Sequence, residues 1–347
     1  MAGVSNGLLA AETCRAGGLG FLAAGHLAST DDIDRQIDVF RRHSDTVDQA
    51  VSSPAPLCLG FIGHSTFGSQ GGWDRFQTVL DQHKPAVVQF FAPAIAINPA
   101  TGRTNVEMAQ EAGSLVMAQI CSVNEATMAL EAGADAIIVQ GSEAGGHGYR
   151  RELGNGTLPL SARVVSLCRD DSSLSPRSSV PILAAGGIVD GRGLVASLAL
   201  GCDGAVLGTR LWASQEAAGH DSSKALLASV QSEPDTVVRT TAMDQIQNTY
   251  HPTPWPAPYD SVGMLRNDVT EQWDGRPTDL ASALRQDDSI ANAYRQAEQD
   301  GDTQVAAVLC GQGVGDIGSI DGAYDIVTSI SDEAMAMVHD LPKICLG

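Results

Sequence analysis

The stretch EAGADAIIVQG, residues 131–141, decides the fold. Gly133 suits the left-handed position just past a helix, Asp135 is a turn residue, and AIIVQ is a short, continuous apolar run that stops at Gly141. The same order returns in ALGCDGAVLGT (199–209), with Gly201, Asp203 and a second apolar run. Each segment is the helix-to-strand half of a βα unit. Working outward, further strand candidates are LGFLAAG (19–25), PLCLGF (56–61), AVVQFF (86–91), SLVMAQ (114–119) and PILAAG (181–186), separated by amphipathic stretches of helical length. Continuous apolar strands alternating with helices indicate parallel pairing with both faces covered. Seven such strands with turn-rich loops at their C-terminal ends predict an α/β fold, a (β/α)₈ TIM barrel rather than an open sheet. The eighth strand is missing: MAGVS at residue 1 reads as the loop after a first strand, so that strand is expected to be truncated.

Composition divides the chain further. Residues 1–211 hold 27 of the 37 glycines and residues 212–301 hold four, together with three of the four tryptophans and the run HPTPWPAPY (251–259). Alternating prolines stop helix growth and stiffen an extended segment. The expected organisation is a barrel over 1–211, an inserted, mostly helical substrate or lid domain over 212–301, and a return to the barrel wall over 302–347.

The 347 residues include 41 acids against 21 Lys and Arg, a formal net charge of −20. Such a surface repels nucleic acid and anionic lipid, so neither is expected as a partner. The N-terminus lacks a basic segment, and no apolar run reaches the length of a membrane span. The seven cysteines are scattered, odd in number and in no CxxC or Cys/His cluster, which argues for reduced, buried thiols and no metal site. A soluble, cytoplasmic protein is expected, and a homo-oligomer is compatible with everything above.

Two features carry chemistry. The strand PILAA leads into Gly186-Gly187, and the next strand, GAV, leads into Gly208-Thr209 before a helix. Either pair alone reads equally well as a tight βα turn; together, in consecutive units, they match the place where a barrel binds phosphate through free backbone N–H groups and a helix N-terminus. One unit earlier, GSEAGGHG (141–148) surrounds His147 with four glycines. Glycine at that density is kept where backbone turns at positive φ or approaches a ligand closely. The position puts His147 on the C-terminal rim, where imidazole exchanges protons near neutral pH. Glu143 either anchors this loop or orients the ring. The remaining histidines, such as His26, His43, His83 and His339, are expected to be solvated.

MAGVSNGLLAAETCRAGGLGFLAAG, VQGSEAGGHG and PILAAGGIVDGRGLVASLALGCDGAVLGTR, with TTAMDQI, LRN (265–267) and GQGVGDI later, together resemble the nitronate monooxygenases, formerly 2-nitropropane dioxygenases. The resemblance runs through essentially the whole chain. It implies an FMN-dependent flavoprotein oxidoreductase that oxidises alkyl nitronates, such as propionate 3-nitronate, with O₂ to a carbonyl compound and nitrite, a nitroalkane detoxification activity. It further implies one FMN at the barrel mouth. Its phosphate would lie on Gly186, Gly187, Gly208 and Thr209, its ribityl chain and ring edge near Gln119, Gln140, Gly145 and Gly146, and its isoalloxazine against Met1, Ala2 and Gly3. His147 matches the catalytic histidine. Independently of the resemblance, the Trp255 and Tyr259 region of the proline-rich run is expected to supply an apolar lid over a small substrate. The chain departs from the family in lacking a strand like PIIQAP before MAG, in the alanine of FFAPA (90–94) where glycine is common, and in Gln119 where some relatives carry lysine. FMN-dependent enoyl reductases using NAD(P)H share the EAGGH loop, so a reductase is the alternative within enzymes. A non-catalytic, truncated flavin-binding remnant is the alternative outside them.

Overall fold

The computed structural model describes residues 2–27, 29–44, 55–170, 180–230 and 236–346. Ten strands follow in chain order: β1 (Phe21–Ala23), β2 (Cys58–Ile62), β3 (Val87–Phe91), β4 (Leu115–Ile120), β5 (Ala136–Gln140), β6 (Gly146–Gly148), β7 (Ile182–Ala185), β8 (Gly204–Val206), β9 (Val237–Thr240) and β10 (Ser261–Leu265). Seven of them, β1-β2-β3-β4-β5-β7-β8, form one parallel sheet in that spatial order. They coincide with the seven apolar runs. The sheet curls with helices on its outer face, and its edges are β1 and β8; among the described residues no eighth strand pairs between them.

The echo seen in the sequence is also an echo of hydrogen bonds. Gly133 (φ +85°) and Gly201 (φ +93°) end their helices in the left-handed region. After each, the aspartate pins the start of a neighbouring strand: Asp135 N donates to Val116 O at 2.8 Å and its Oδ2 accepts from Val116 N at 2.9 Å. Asp203 does the same to Ile182, at 2.7 and 2.9 Å. A short side chain with two acceptor oxygens is what lets one residue satisfy strand and turn together.

Alternation along the strands separates an inner from an outer core. Cys58, Val87, Met117, Ile138 and Ala185 pack together inside the curl. Leu59, Val88, Phe90, Val116, Ala118, Ile137, Val139 and Ala184 face the helices, where Phe40, Trp73 and Phe76 complete a larger cluster. Cys14, Cys58, Cys121, Cys168, Cys202 and Cys310 are buried and unbridged. The helix Ala323–Leu346 lies beside the helices Gly7–Arg15 and Gly191–Ala199, tied by Glu333 Oε2, which accepts from Gly191 N at 2.8 Å.

The segment 212–301 contributes helices but also β9 and β10. These join β6, from the loop after β5, in an antiparallel sheet ordered β6-β10-β9, in which Val262 faces both His147 and Thr240. Among the described residues no helix is long and apolar enough to cross a membrane.

Candidate active site

Three glutamines form the floor. Gln89, Gln119 and Gln140 occupy inward positions on β3, β4 and β5, each further toward the C-terminal end than the last. Gln89 Nε2 donates to Gln119 Oε1 at 2.8 Å, Gln119 Nε2 to Gln140 Oε1, and Gln140 Nε2 to the carbonyl of His147 at 2.7 Å. Amides both donate and accept, so the chain of bonds runs from the barrel interior to the backbone of the histidine without a charged group. Gln119 and Gln140, assigned beside the cofactor from the sequence, are thus brought together.

The glycine loop lies over this floor. Gly146 sits at φ +68°, but Gly145 and Gly148 are small for a different reason. A Cβ on Gly145 would overlap the backbone of Cys310, and one on Gly148 would stand 2.8 Å from Gln140 Nε2. Arg239 of β9 holds the loop from outside: its guanidinium donates to the carbonyls of Ala144 (2.5 Å), Ser261 (3.1 Å) and Gly146 (3.4 Å). Burial pushes this guanidinium below its ordinary range. Glu143 anchors rather than orients: its Oε2 accepts from Thr157 N and Oγ1 at 2.6 and 2.8 Å.

His147 is paired with a residue to which the sequence reading gave no role. Its Nε2 lies 2.9 Å from Asp244 Oδ1, in side chains that are 13% and 2% exposed. Asp244 Oδ2 is buried with no hydrogen-bond partner among the described residues. The indole of Trp255 stacks on the imidazole, with centroids 3.7 Å apart and planes 10° from parallel. On Trp255 also packs His64, with ring centroids 4.5 Å apart. His64 N donates to the Ala92 carbonyl at 3.0 Å, and the ring Nδ1 lies 3.2 Å from the same oxygen. Burial pushes its imidazole down. Ala92 is the alanine of FFAPA, and it adopts φ +59°, where a Cβ is disfavoured and glycine is the usual occupant. Phe91, Tyr259 and Tyr149 extend the aromatic wall, at centroid separations of 5.6 Å (Phe91–Tyr259) and 5.4 Å (Tyr149–Tyr259).

Beside the glycine loop, Gly186 (φ +121°) and Gly187 (φ +73°) follow β7, which pairs with β5. Gly208 caps the helix Thr209–Trp212 after the adjacent β8. The two loops are bridged by residues 311–313. Gly311 N donates to Thr209 Oγ1 at 2.9 Å, and a Cβ on Gly313 would stand 2.7 Å from the Gly187 carbonyl. Ala2 and Gly3 precede a segment in which Ser5 O accepts from Ala23 N and Val4 O from Ala218 N, so they lie at the C-terminal end of β1. Gly3 is at φ +73° with open space where a Cβ would point. Met1 lies outside the described residues.

Among the histidines expected to be solvated, His83 is not: its ring is 10% exposed and Nε2 lies 2.6 Å from Asp34 Oδ1. Sequence reasoning also passed over His64, in FIGHS, which carries no spacing signal, and gave no role to Asp244, although TTAMDQI had been singled out.

A curled parallel barrel whose C-terminal mouth carries a buried His–Asp pair beside glycine turns is the architecture of a barrel enzyme. The nitronate monooxygenase family model matches residues 64–333, and the chain belongs to that family, as an oxidoreductase. It is 28% identical to the nitronate monooxygenase of Neurospora crassa over 353 aligned positions, covering 97% of this chain and 88% of the relative. The nitronate monooxygenase npaC of Metarhizium robertsii is 28% identical over 95% of this chain and 88% of its own length. Among solved structures, FabK from Thermotoga maritima superposes with a TM-score of 0.71 at 27% identity, over 99% of this chain and 93% of that one. A nitroalkane oxidase from Streptomyces ansochromogenes gives 0.71 at 25%, over 98% and 95%.

Proposed function

We propose that this chain binds one FMN across the barrel mouth and oxidises alkyl nitronates with O₂ to a carbonyl compound and nitrite. The observation that carries the reading is the His147–Asp244 pair, buried at the rim directly above the glutamine floor.

The residues of the mouth fit the cofactor. Gly186 and Gly187 at consecutive positive φ, and the helix opening at Gly208, are glycine turns whose backbone N–H groups suit a phosphate. Thr209 Oγ1 accepts from Gly311, so its own hydrogen remains to be donated. Gln119 and Gln140 offer amides to the ribityl chain and ring edge, Gly145 and Gly146 present backbone, and Ala2 and Gly3 would border the ring. Held there, FMN would supply the redox chemistry that the nitronate and O₂ require.

The protein's own part is proton handling and exclusion of water. With Nε2–H donated to Asp244, the neutral ring of His147 carries its lone pair on Nδ1, which can take an α-proton from a nitroalkane or hold a nitronate oxygen once protonated. Asp244 fixes the tautomer and stabilises the imidazolium. Trp255 covers one face of the ring against solvent.

The barrel alone does not separate this reading from a reductase, because the enoyl reductase domain of MlnA from Bacillus amyloliquefaciens shares the fold, with a TM-score of 0.62 at 13% identity. Charge favours the oxidase. Five of the six Lys and Arg residues of 212–301 have visible partners: Lys224 is buried against the Gln215 carbonyl, Arg239 serves the glycine loop, Arg276 pairs with Asp279, Arg285 donates to Ser282 and Arg295 lies over Tyr250, while Arg266 is the sixth. Dispersed and engaged in this way, they make a poor funnel for the phosphates of NAD(P)H. The acidic composition and the unbridged cysteines support a cytoplasmic setting.

The test is the purified protein and its His147→Asn variant. Both should carry about one FMN per chain, and the variant should lose roughly 10²- to 10⁴-fold in turnover of neutral nitroalkanes, the range for a missing general base. Pre-formed nitronates need no deprotonation and should lose less. Equal losses on both substrates would assign His147 an electrostatic role instead.

A further inference from the structure

Resting on the nitronate reading, we infer that Arg239 is the counter-charge of the site: a positioning residue that sets the loop bearing His147, and the buried cation that lets the mouth hold a small monoanion beside the Asp244 carboxylate.

The guanidinium sits in a slot cleared by glycine. A Cβ on Gly148 would stand 3.2 Å from its Nη1, and one on Gly263 of β10 would stand 3.2 Å from its Nη2. In that slot it donates to three main-chain carbonyls, those of Ala144, Gly146 and Ser261. A planar trans peptide points its N–H opposite to its carbonyl, so the N–H groups of Gly145 and His147 are turned away from the guanidinium. The carbonyl of His147 faces the other way, to Gln140 Nε2 at 2.7 Å. Strand β6 thus lies between the cation and the glutamine floor, and two peptides of the loop present their positive ends away from Arg239.

Carbonyls orient a cation without neutralising it. Among the described residues no carboxylate pairs with Arg239, and Glu143, which acts on it through space, gives its Oε2 to Thr157. Cys121 beside it adds no negative charge, because burial pushes that thiol up to about 12. The arginines of neighbouring loops are neutralised. Arg150 forms a bidentate pair with Asp260 at 2.8 and 2.5 Å, Arg103 pairs with Glu111, and Arg151, which also donates to the Arg239 carbonyl, lies 3.5 Å from Asp274. Burial holds His64 toward its neutral form. A nitronate entering beside His147 meets the Asp244 carboxylate behind the ring, and a buried, unneutralised charge offsets that repulsion more strongly than a solvated one. One such charge, acting from behind the loop, suits a small monoanion and not a polyanion.

Propionate and propionamide, alike in shape and different by one charge, are titrated into the purified protein and followed by tryptophan fluorescence, with Trp255 against His147 as reporter. The carboxylate should bind roughly tenfold or more tighter than the amide, and this ratio should change little between about 0.05 and 0.5 M salt, because the cation is buried. In Arg239→Gln the ratio should fall by about tenfold, and KM for ethyl nitronate should rise by a similar factor. Arg239→Lys keeps the charge and loses the fork, so it should retain most of the ratio while kcat falls. Equal losses for both ligands in Arg239→Gln would leave Arg239 a structural role only and overturn the inference. Wild-type protein that binds neither ligand, or binds the amide as tightly as the carboxylate, would overturn it too, and that comparison stands even if neither variant folds. Neither ligand requires turnover. A carboxylate preference that is lost in Arg239→Gln sustains the role of Arg239 even where no nitronate is oxidised, whereas nitronate oxidation with an unchanged ratio in that variant removes the role and leaves the oxidase.

Discussion

Asp244 changes what His147 can do, because a lone imidazole on a rim turns freely whereas this ring is fixed by a carboxylate at 2.9 Å and an indole at 3.7 Å. Asp244→Asn keeps the size and removes the charge. Turnover of neutral nitroalkanes should fall about 10- to 100-fold, the usual loss when a residue that orients a reacting group is replaced, with FMN content retained. Unchanged kcat in this variant would show that the pair is only structural. His64 makes a separate, pH-dependent contribution. Its imidazole is pushed below its ordinary value of 6.5, mainly by burial. In the unfolded chain it protonates near that value, so in the window just below it the unfolded state binds more protons. The stability present above about pH 6.5 is therefore lost as pH falls toward the folded-state value. In His64→Gln the acid-side loss should be smaller, read as urea midpoints of the two proteins between about pH 7 and pH 5. A difference between them that does not change with pH would contradict this.

At the scale of elements, the glycine loop answers two demands. Gly146 needs its positive φ, whereas Gly145 is demanded by the protein's own packing, since the Cys310 backbone fills the place of its side chain. Gly145→Ala should cost about 1–3 kcal/mol, as overpacking does, and should lower the thermal midpoint even of the flavin-free protein. If only flavin affinity changed, the loop would be shaped for the ligand alone. The same region shows what a sequence can reveal. The seven barrel strands were legible because each is a short apolar run bounded by glycine or a turn residue, and the GAD and GCD turns repeat the local chemistry. His147 was legible from its glycines. The pairing of β6 with β10 was not, because residues 146–148 meet 261–263 across more than a hundred residues and the three-residue run GHG is too short to read as a strand. Asp244 escaped for a similar reason: it sits in the first turn of the helix Ala242–Gln247, where an acidic residue reads as favourable to the helix dipole. His83 misled in the opposite way, since its place at a helix end hid the contact with Asp34 of another helix.

For the whole molecule, the edge strand β1 is joined by the N-terminal segment, whose Ser5 carbonyl accepts from Ala23 N and whose Val4 carbonyl accepts from Ala218 N, and the helix Ala323–Leu346 packs on the helices Gly7–Arg15 and Gly191–Ala199. Barrel, glycine loop and second sheet converge on one mouth, where the Gly186-Gly187 turn lies against Glu143 and Ala144 of the loop that carries His147. This layout serves either an oxidase or a reductase, and the difference lies in which donor reaches the flavin. The direct measurement is anaerobic mixing of the FMN-loaded protein with ethyl nitronate and, separately, with NADPH, following flavin absorbance. Rapid bleaching by the nitronate, with NADPH no faster than it reduces free FMN, is the expected result. Rapid bleaching by NADPH with none by nitronate would contradict the proposed function and make this chain a reductase.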